Sequence, residues 1–161
     1  MTTGLLIAMA GIALAVSIAG IGSAIGIGYA ASAAAGVMSE DSKDFGKYLI
    51  LVALPGTQGI YGFVIALLWM ANLNIMSAAA VPALTAAQGL VVLFACLPVG
   101  LCGLSAVYQG KVCASGVNLV AKKSDEMSHA LIVSAFPEFY AILGFLVSIF
   151  TVLNAQSVLG L

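Results

Sequence analysis

Glu138 is the residue in this sequence whose position most needs a chemical reason. Five of the six acidic side chains lie in two short polar stretches, Glu40–Asp44 and Asp125–Glu126, whereas Glu138 sits in an apolar run with no other charge from Ala130 onward. An ionisable group at membrane depth costs about 3 kcal/mol on insertion scales, so such residues face protein or water and hold an ion or a proton. Retention of the acid merely as hydrogen-bonding glue between helices is the plainer alternative, but it does not explain the other oxygens found at the same depth.

Counted from Ser42 and Ser124 as loop centres, Glu138 lies 14 residues away, Gln109 lies 15, and Thr57 and Gln58 lie 15 and 16. All four share one depth to within a helical turn. Thr57 and Tyr61 are spaced to share a helix face, with Gln58 at its edge. One hydroxyl, two amide oxygens and a carboxylate can converge there, and hard cations take oxygen ligands. Pro55 and Pro137 each remove a helix N–H and are expected to free the carbonyls of Leu51 and Val133. Lys111 competes for the carboxylate, but two residues beyond Gln109 it points roughly 200° around the helix and is expected to face elsewhere.

The elements that carry these residues are set off by charge. The chain of 161 residues is 63% hydrophobic and 7% charged, with a mean hydropathy of +1.19, which is more apolar surface than one soluble core can hide. No charge occurs from Met1 to Ser39, from Tyr48 to Gly110, or after His129, apart from Glu138. The middle stretch is too long for one helix, and a polar connector from Asn72-Leu73-Asn74 through Ser77, Pro82 and Thr85 divides it. The reading is an all-α membrane protein with four transmembrane helices, over roughly 4–38, 46–71, 84–121 and 128–155. Helices of about 35 residues span ~52 Å against a hydrocarbon core of ~30 Å, so the first and third project beyond the bilayer. Both run into the charged loops, Glu40–Lys47 and Lys122–Glu126. Lys43, Lys47, Lys122 and Lys123 lie on that side, which by the positive-inside rule is cytoplasmic, leaving both termini outside in a multi-pass cell-membrane protein.

Several functions are excluded by composition. There is no arginine, and five scattered lysines cannot track a phosphate backbone, so no nucleic-acid partner is expected. Cys96, Cys102 and Cys113 are odd in number and far from the single His129, which fits neither a disulfide framework nor zinc. They read as small packing residues. The N-terminal Met1-Thr2-Thr3-Gly4 lacks the basic flank of a secretory signal and is expected to remain as structure. Gly20, Gly22 and Gly26 are wrongly spaced for a dinucleotide loop and follow no strand, so no nucleotide is expected on this chain.

The two halves repeat. A gapless shift of 82 residues aligns Ser23-Ala24 with Ser105-Ala106, Pro55 with Pro137, Gly62-Phe63 with Gly144-Phe145, and Asn72 with Asn154. This predicts two tandem parallel helical hairpins, 1–80 and 81–161, with Glu138 in the second and Gly56 at the matching place in the first. Gly22, Gly26, Ala30 and Ala34 recur every four positions on the first helix, a spacing that lets helix backbones approach closely in lipid. Thin first and third helices beside bulky second and fourth ones make a wedge suited to a closed ring, and the glycine stripe is expected to seal the copies of that ring.

With the duplicated hairpins, the strings Leu54-Pro55-Gly56-Thr57-Gln58-Gly59-Ile60-Tyr61-Gly62 and Gln109-Gly110-Lys111, and Glu138 in the fourth helix, the sequence resembles the proteolipid rotor-ring subunits of V-type and V/A-type ATPases over essentially its whole length. The resemblance implies a homo-oligomeric ring that turns in lipid against a membrane stator subunit and docks the central stalk on its cytoplasmic loops. It also implies one ion carried per subunit on Glu138, with ATP chemistry performed in other subunits. For the sodium-translocating members it implies Na+ ligands at Leu54, Thr57, Gln58, Gln109 and Glu138, with Tyr61 hydrogen-bonding the carboxylate. Every such position holds the expected residue type, which favours Na+ over H+, since a proton carrier needs only the acid. A small four-helix channel would also carry an intramembrane acid, but these polar residues form a site and no continuous path. A membrane scaffold needs no oxygens at matched depth.

Overall fold

The computed structural model describes residues 2–76 and 81–159. Among these every regular element is helical: α1 (Thr3–Met38), α2 (Phe45–Ala53), α3 (Thr57–Asn72), α4 (Ala86–Gly103), α5 (Ser105–Lys122), α6 (Met127–Leu153) and a short α7 (Ala155–Leu159). Taken together with the turns that join them, these make four spans long and apolar enough to cross a membrane, Thr3–Met38, Phe45–Asn72, Ala86–Lys122 and Ser124–Leu153. The expected connector is present at Leu73–Asn74, Asn72 closing α3, and at Pro82–Thr85, while Ser77 lies outside the described residues.

Local chemistry sets the ends. The hydroxyl of Thr2 accepts from the Leu5 N–H and opens α1. Thr85 and Gln88 form a reciprocal capping box that starts α4 at Ala86, two residues later than apolar patterning alone suggests. Past α3, Asn74 turns the chain with φ at 55°, a left-handed conformation that asparagine tolerates better than most residues. Two proline effects matter within the spans. Pro55 breaks the second span into α2 and α3 through a tight 3-10 turn, Leu54–Gly56, whereas Pro137 is carried inside a continuous α6. The third span, expected as one helix, contains Pro98 and tightens at Leu104, whose N–H bonds the Leu101 carbonyl and separates α4 from α5.

Helix α1 is the axis of the bundle, packing against α3, α4 and α5, while α6 packs on α4 and α5. The small-residue stripe makes this possible. A Cβ on Gly26 would stand 2.2 Å from the Ala106 carbonyl oxygen, and one on Gly110 would stand 2.1 Å from that of Gly26, so the α1 and α5 backbones touch where only glycine fits. This corrects the expected use of the stripe: Gly22, Gly26, Ala30 and Ala34 are buried inside a single chain, holding its two hairpins together, and are not available to seal copies of a ring. The core has two lobes. Ile12, Ile65, Trp69, Val92, Cys96 and Val99 fill the one near the termini, and Ala30, Tyr48, Leu51, Cys113, Val117 and Ala130 fill the one near the charged loops. Cys96, Cys102 and Cys113 are free thiols.

Candidate functional site

The break at Pro55 sets up the first half of the site. In the 3-10 turn the Leu54 carbonyl accepts from the Thr57 hydroxyl at 3.1 Å, and that hydroxyl also lies 3.2 Å from Gln58 Oε1. Four residues on, Tyr61 shares the face of Thr57 and donates its hydroxyl to Glu138 Oε1 at 2.9 Å. The Tyr61 ring rests on Phe145, with centroids 5.0 Å apart, which fixes the direction of that hydroxyl. The second half comes from α5 and α6. Gln109 is fully buried, accepts from Gln58 Nε2 at 2.6 Å, and donates from Nε2 both to the Ser134 carbonyl at 3.0 Å and to Glu138 Oε2 at 3.3 Å.

This chain of amides has a direction. A backbone carbonyl can only accept, so Gln109 must turn its NH2 toward Ser134 and its oxygen toward Gln58. Gln58, itself fully buried, must then offer its NH2 to Gln109 and its oxygen to Thr57. The result is a cluster of oxygens from the Leu54 carbonyl, Thr57, Gln58, Tyr61 and the Glu138 carboxylate gathered about a buried amide pair. Chemically this arrangement offers an uncharged oxygen set and a single negative charge, which suits a monovalent cation or a proton. Among the described residues no group of three or more His, Cys, Asp or Glu side chains could hold a transition metal.

All six residues singled out from the sequence, Leu54, Thr57, Gln58, Tyr61, Gln109 and Glu138, thus meet in one place. The carbonyls in the network are those of Leu54, which the resemblance implies, and Ser134. The 3-10 turn at Pro55 presents the Leu54 carbonyl to Thr57, and Gln109 reaches the carbonyl four residues before Glu138, whereas the carbonyls of Leu51 and Val133 take no part in these bonds. Ser134, Phe145 and Ser23, whose hydroxyl accepts the Gly59 N–H at 2.8 Å, were not anticipated. The repeat register was the available signal for Ser23, since it pairs with Ser105. Lys111 faces away as expected, its Nζ lying 5.4 Å from the Tyr29 ring and 5.8 Å from the Tyr108 ring.

At the charged end, the two loops meet. Lys47 Nζ pairs with Asp44 at 3.1 Å, donates to the Ser124 carbonyl at 2.9 Å and bonds the Ser124 hydroxyl. The Ser124 hydroxyl, with Lys47 beside it, holds the Asp44 carboxyl below its ordinary value of 3.8.

The family model for the C subunit of ATP synthase matches twice, at residues 10–69 and 93–151. The chain belongs to the ATP synthase C-subunit family. Each match covers one hairpin, so the duplication read from the sequence is a duplication of this family's unit. Among curated proteins, the chain is 44% identical to the V-type sodium ATPase subunit K of Enterococcus hirae, over 94% of each chain. It is also 39% identical to the A-type ATP synthase subunit K of Methanocaldococcus jannaschii, over 90% of this chain and 61% of that longer protein. Only one of the two family units here bears the acid: the places of Glu138 and Gln109 are taken in the first by Gly56 and Ile27.

Proposed function

We propose that this chain is a rotor-ring subunit of a rotary V/A-type ATPase and carries one Na+ per subunit on Glu138. ATP chemistry belongs to other subunits, and this subunit supplies the moving ion sites. The observation that carries the reading is the directed amide chain from Ser134 through Gln109 and Gln58, which aims oxygen toward Thr57 and the Leu54 carbonyl beside the carboxylate. A proton needs only Glu138, whereas Na+ needs the additional oxygens. The ligand set is the Leu54 carbonyl, Thr57, Gln58, Gln109 and Glu138, the set implied by the family resemblance, and Tyr61 holds the carboxylate closed over the ion. The identity to a sodium ATPase subunit K supports the same cargo.

Transport follows from electrostatics. An ionised Glu138 cannot pass hydrocarbon, so it must travel neutralised, with its charge compensated by bound Na+, and must release the ion where a stator subunit opens the site to water. The Tyr61 bond is the latch that this exchange has to break. The copies form a homo-oligomeric ring in the cell membrane. Its charged loops face the cytoplasm, where they meet the central stalk, and its termini lie outside.

Carbodiimide labelling of Glu138 tests the cargo, because the reagent attacks only the protonated acid. Raising Na+ at fixed pH is expected to suppress labelling, and Glu138→Gln is expected to abolish both labelling and transport. If Na+ at any concentration leaves wild-type labelling unchanged while the complex still pumps, the cargo is H+ and the oxygens serve only to orient the acid.

A further inference from the structure

Helix α3 begins without a cap of its own. It opens with Thr57, Gln58 and Gly59, and the residue in the N-cap position is Gly56, which has no side chain to offer. The first N–H groups of a helix have no partner within it. At membrane depth no water stands in for one, so each must be met from inside the protein. The Thr57 N–H is met by the Leu54 carbonyl in the 3-10 turn. The Gly59 N–H is met from another helix: the hydroxyl of Ser23 on α1, a residue only 5% exposed, accepts it at 2.8 Å. An N-cap side chain ordinarily accepts from the second or third N–H of its helix, and Gly59 is the third residue of α3. Ser23 thus caps α3 from 36 residues away.

The same face of α1 holds the chain on both sides of two of the proposed ion ligands. A Cβ on Gly59 would stand 3.2 Å from Ser23 Oγ and 3.6 Å from the Gly20 Cα, so glycine is what lets α3 come within reach of the hydroxyl. One turn along α1, a Cβ on Gly26 would stand 2.9 Å from the Pro55 Cβ. Thr57 and Gln58 lie between these two contacts. The repeat supplies an internal comparison. Advancing by 82 carries Ser23 to Ser105, Pro55 to Pro137 and Gly59 to Ala141. Pro137 and Ala141 both lie inside a continuous α6, where the Ala141 N–H has its helical partner. The buried Ser105 hydroxyl accordingly has no hydrogen-bond partner among the described residues. The serine is put to use only in the hairpin whose broken helix presents Thr57 and Gln58.

We propose that Ser23 is a positioning residue for the ion: by capping α3 at Gly59 it fixes Thr57 and Gln58 at the level of Glu138 without touching the ion itself. The proposal rests on the Na+ reading above and adds to it a residue outside the ligand set. Without the Ser23 oxygen the Gly59 N–H has to find another acceptor, which the first turn of α3 can do only by shifting, and the Thr57 hydroxyl and the Gln58 amide shift with it. Glu138 and the Gln109 amide that bonds it belong to α6 and α5, outside that shift. Loss of the cap therefore weakens Na+ and leaves the affinity of the carboxylate for a proton in place.

Carbodiimide protection of the whole complex in native membranes tests this, with NaCl as the probe. Ser23→Ala removes the hydroxyl, and the pair Ser23→Val and Ser23→Thr have one shape and differ only in the oxygen. The alanine and valine proteins are expected to need roughly 2- to 30-fold more Na+ to half-protect Glu138, the range that loss of a helix cap implies. The threonine protein and Ser105→Ala should stay near wild type. The pH at which half of Glu138 is labelled without Na+ should be the same in all of them. Half-protection of the alanine and valine proteins at the wild-type Na+ concentration overturns the positioning role and leaves the Na+ reading standing. So does an equal rise in the threonine or Ser105→Ala protein, or a labelling pH that moves together with the Na+ concentration. If the alanine and valine proteins form no ring while the threonine protein does, the hydroxyl holds the fold and not the site, and the proposal is again overturned. A wild-type complex that Na+ never protects removes the Na+ reading itself, and the proposal with it.

Discussion

Replacing Gly110 by alanine asks whether the touching backbones of α1 and α5 set the geometry of the proposed ion site. The added methyl would stand 2.1 Å from the Gly26 carbonyl oxygen and 2.4 Å from the Gly26 Cα. Both are backbone atoms, so no side chain can swing aside and α5 must move off α1. Reaching an ordinary non-bonded separation of roughly 3.5 Å takes a shift of at least about 1 Å. Gln109, the preceding residue, moves with it, and its bonds to Gln58 at 2.6 Å and to Glu138 at 3.3 Å fall out of range. Overpacking of this kind costs on the order of 1–3 kcal/mol. Where the ion-bound state needs the helices together and the empty state does not, that cost falls on binding and weakens Na+ by roughly 5- to 150-fold. The assay is the Na+ concentration that half-protects Glu138 from carbodiimide, read beside the temperature at which the ring dissociates in detergent. A Gly110→Ala protein with wild-type half-protection and wild-type heat stability refutes the reasoning.

Thr57→Val is nearly isosteric and removes the hydroxyl lying between the Leu54 carbonyl and Gln58 Oε1. A polar contact to a charge contributes about 1.5–3 kcal/mol, so the half-protecting Na+ concentration is expected to rise roughly 10- to 150-fold while labelling without Na+ persists. At the loops, the depressed Asp44 carboxyl adds stability that is complete above the ordinary carboxylate value of 3.8 and is lost as pH falls through its lower folded value. Heat stability of the ring should therefore hold from neutral pH down to about pH 5 and fall only in stronger acid, and Asp44→Asn should remove that acid-dependent part. Cysteines placed at Ser42 and Ser124 are expected to react with a membrane-impermeant maleimide only from the cytoplasmic side, and reaction only from outside would invert the topology.

The helices were legible in the sequence because charge in a membrane protein is expensive. Where charges cluster the chain leaves the bilayer, and distance from Ser42 and Ser124 then sets Thr57, Gln58, Gln109 and Glu138 at one level, where hydrogen bonds join them. Depth is a one-dimensional property, which is why counting recovers it. The direction of a helix face is not. The stripe of Gly22 and Gly26 was visible as a surface for close approach, but which helix approaches depends on where the second hairpin docks, and that is fixed by Gly103, Ala106 and Gly110 on the far side of the repeat. The break at Leu104 and the role of the Ser134 carbonyl were hidden for a related reason: every residue has a carbonyl, so its use depends on a long-range neighbour, here Gln109.

The directed amide pair also constrains how this sequence can drift. A glutamate at position 58 would keep an oxygen toward Thr57 but set a second oxygen against that of Gln109. Were Gln109 to flip in answer, its own oxygen would face the Ser134 carbonyl and the Glu138 carboxylate. Either single step leaves buried acceptors face to face, at a cost of about 1–3 kcal/mol for each unmet group. Positions 58 and 109, 51 residues apart and in different hairpins, are therefore expected to change only in concert.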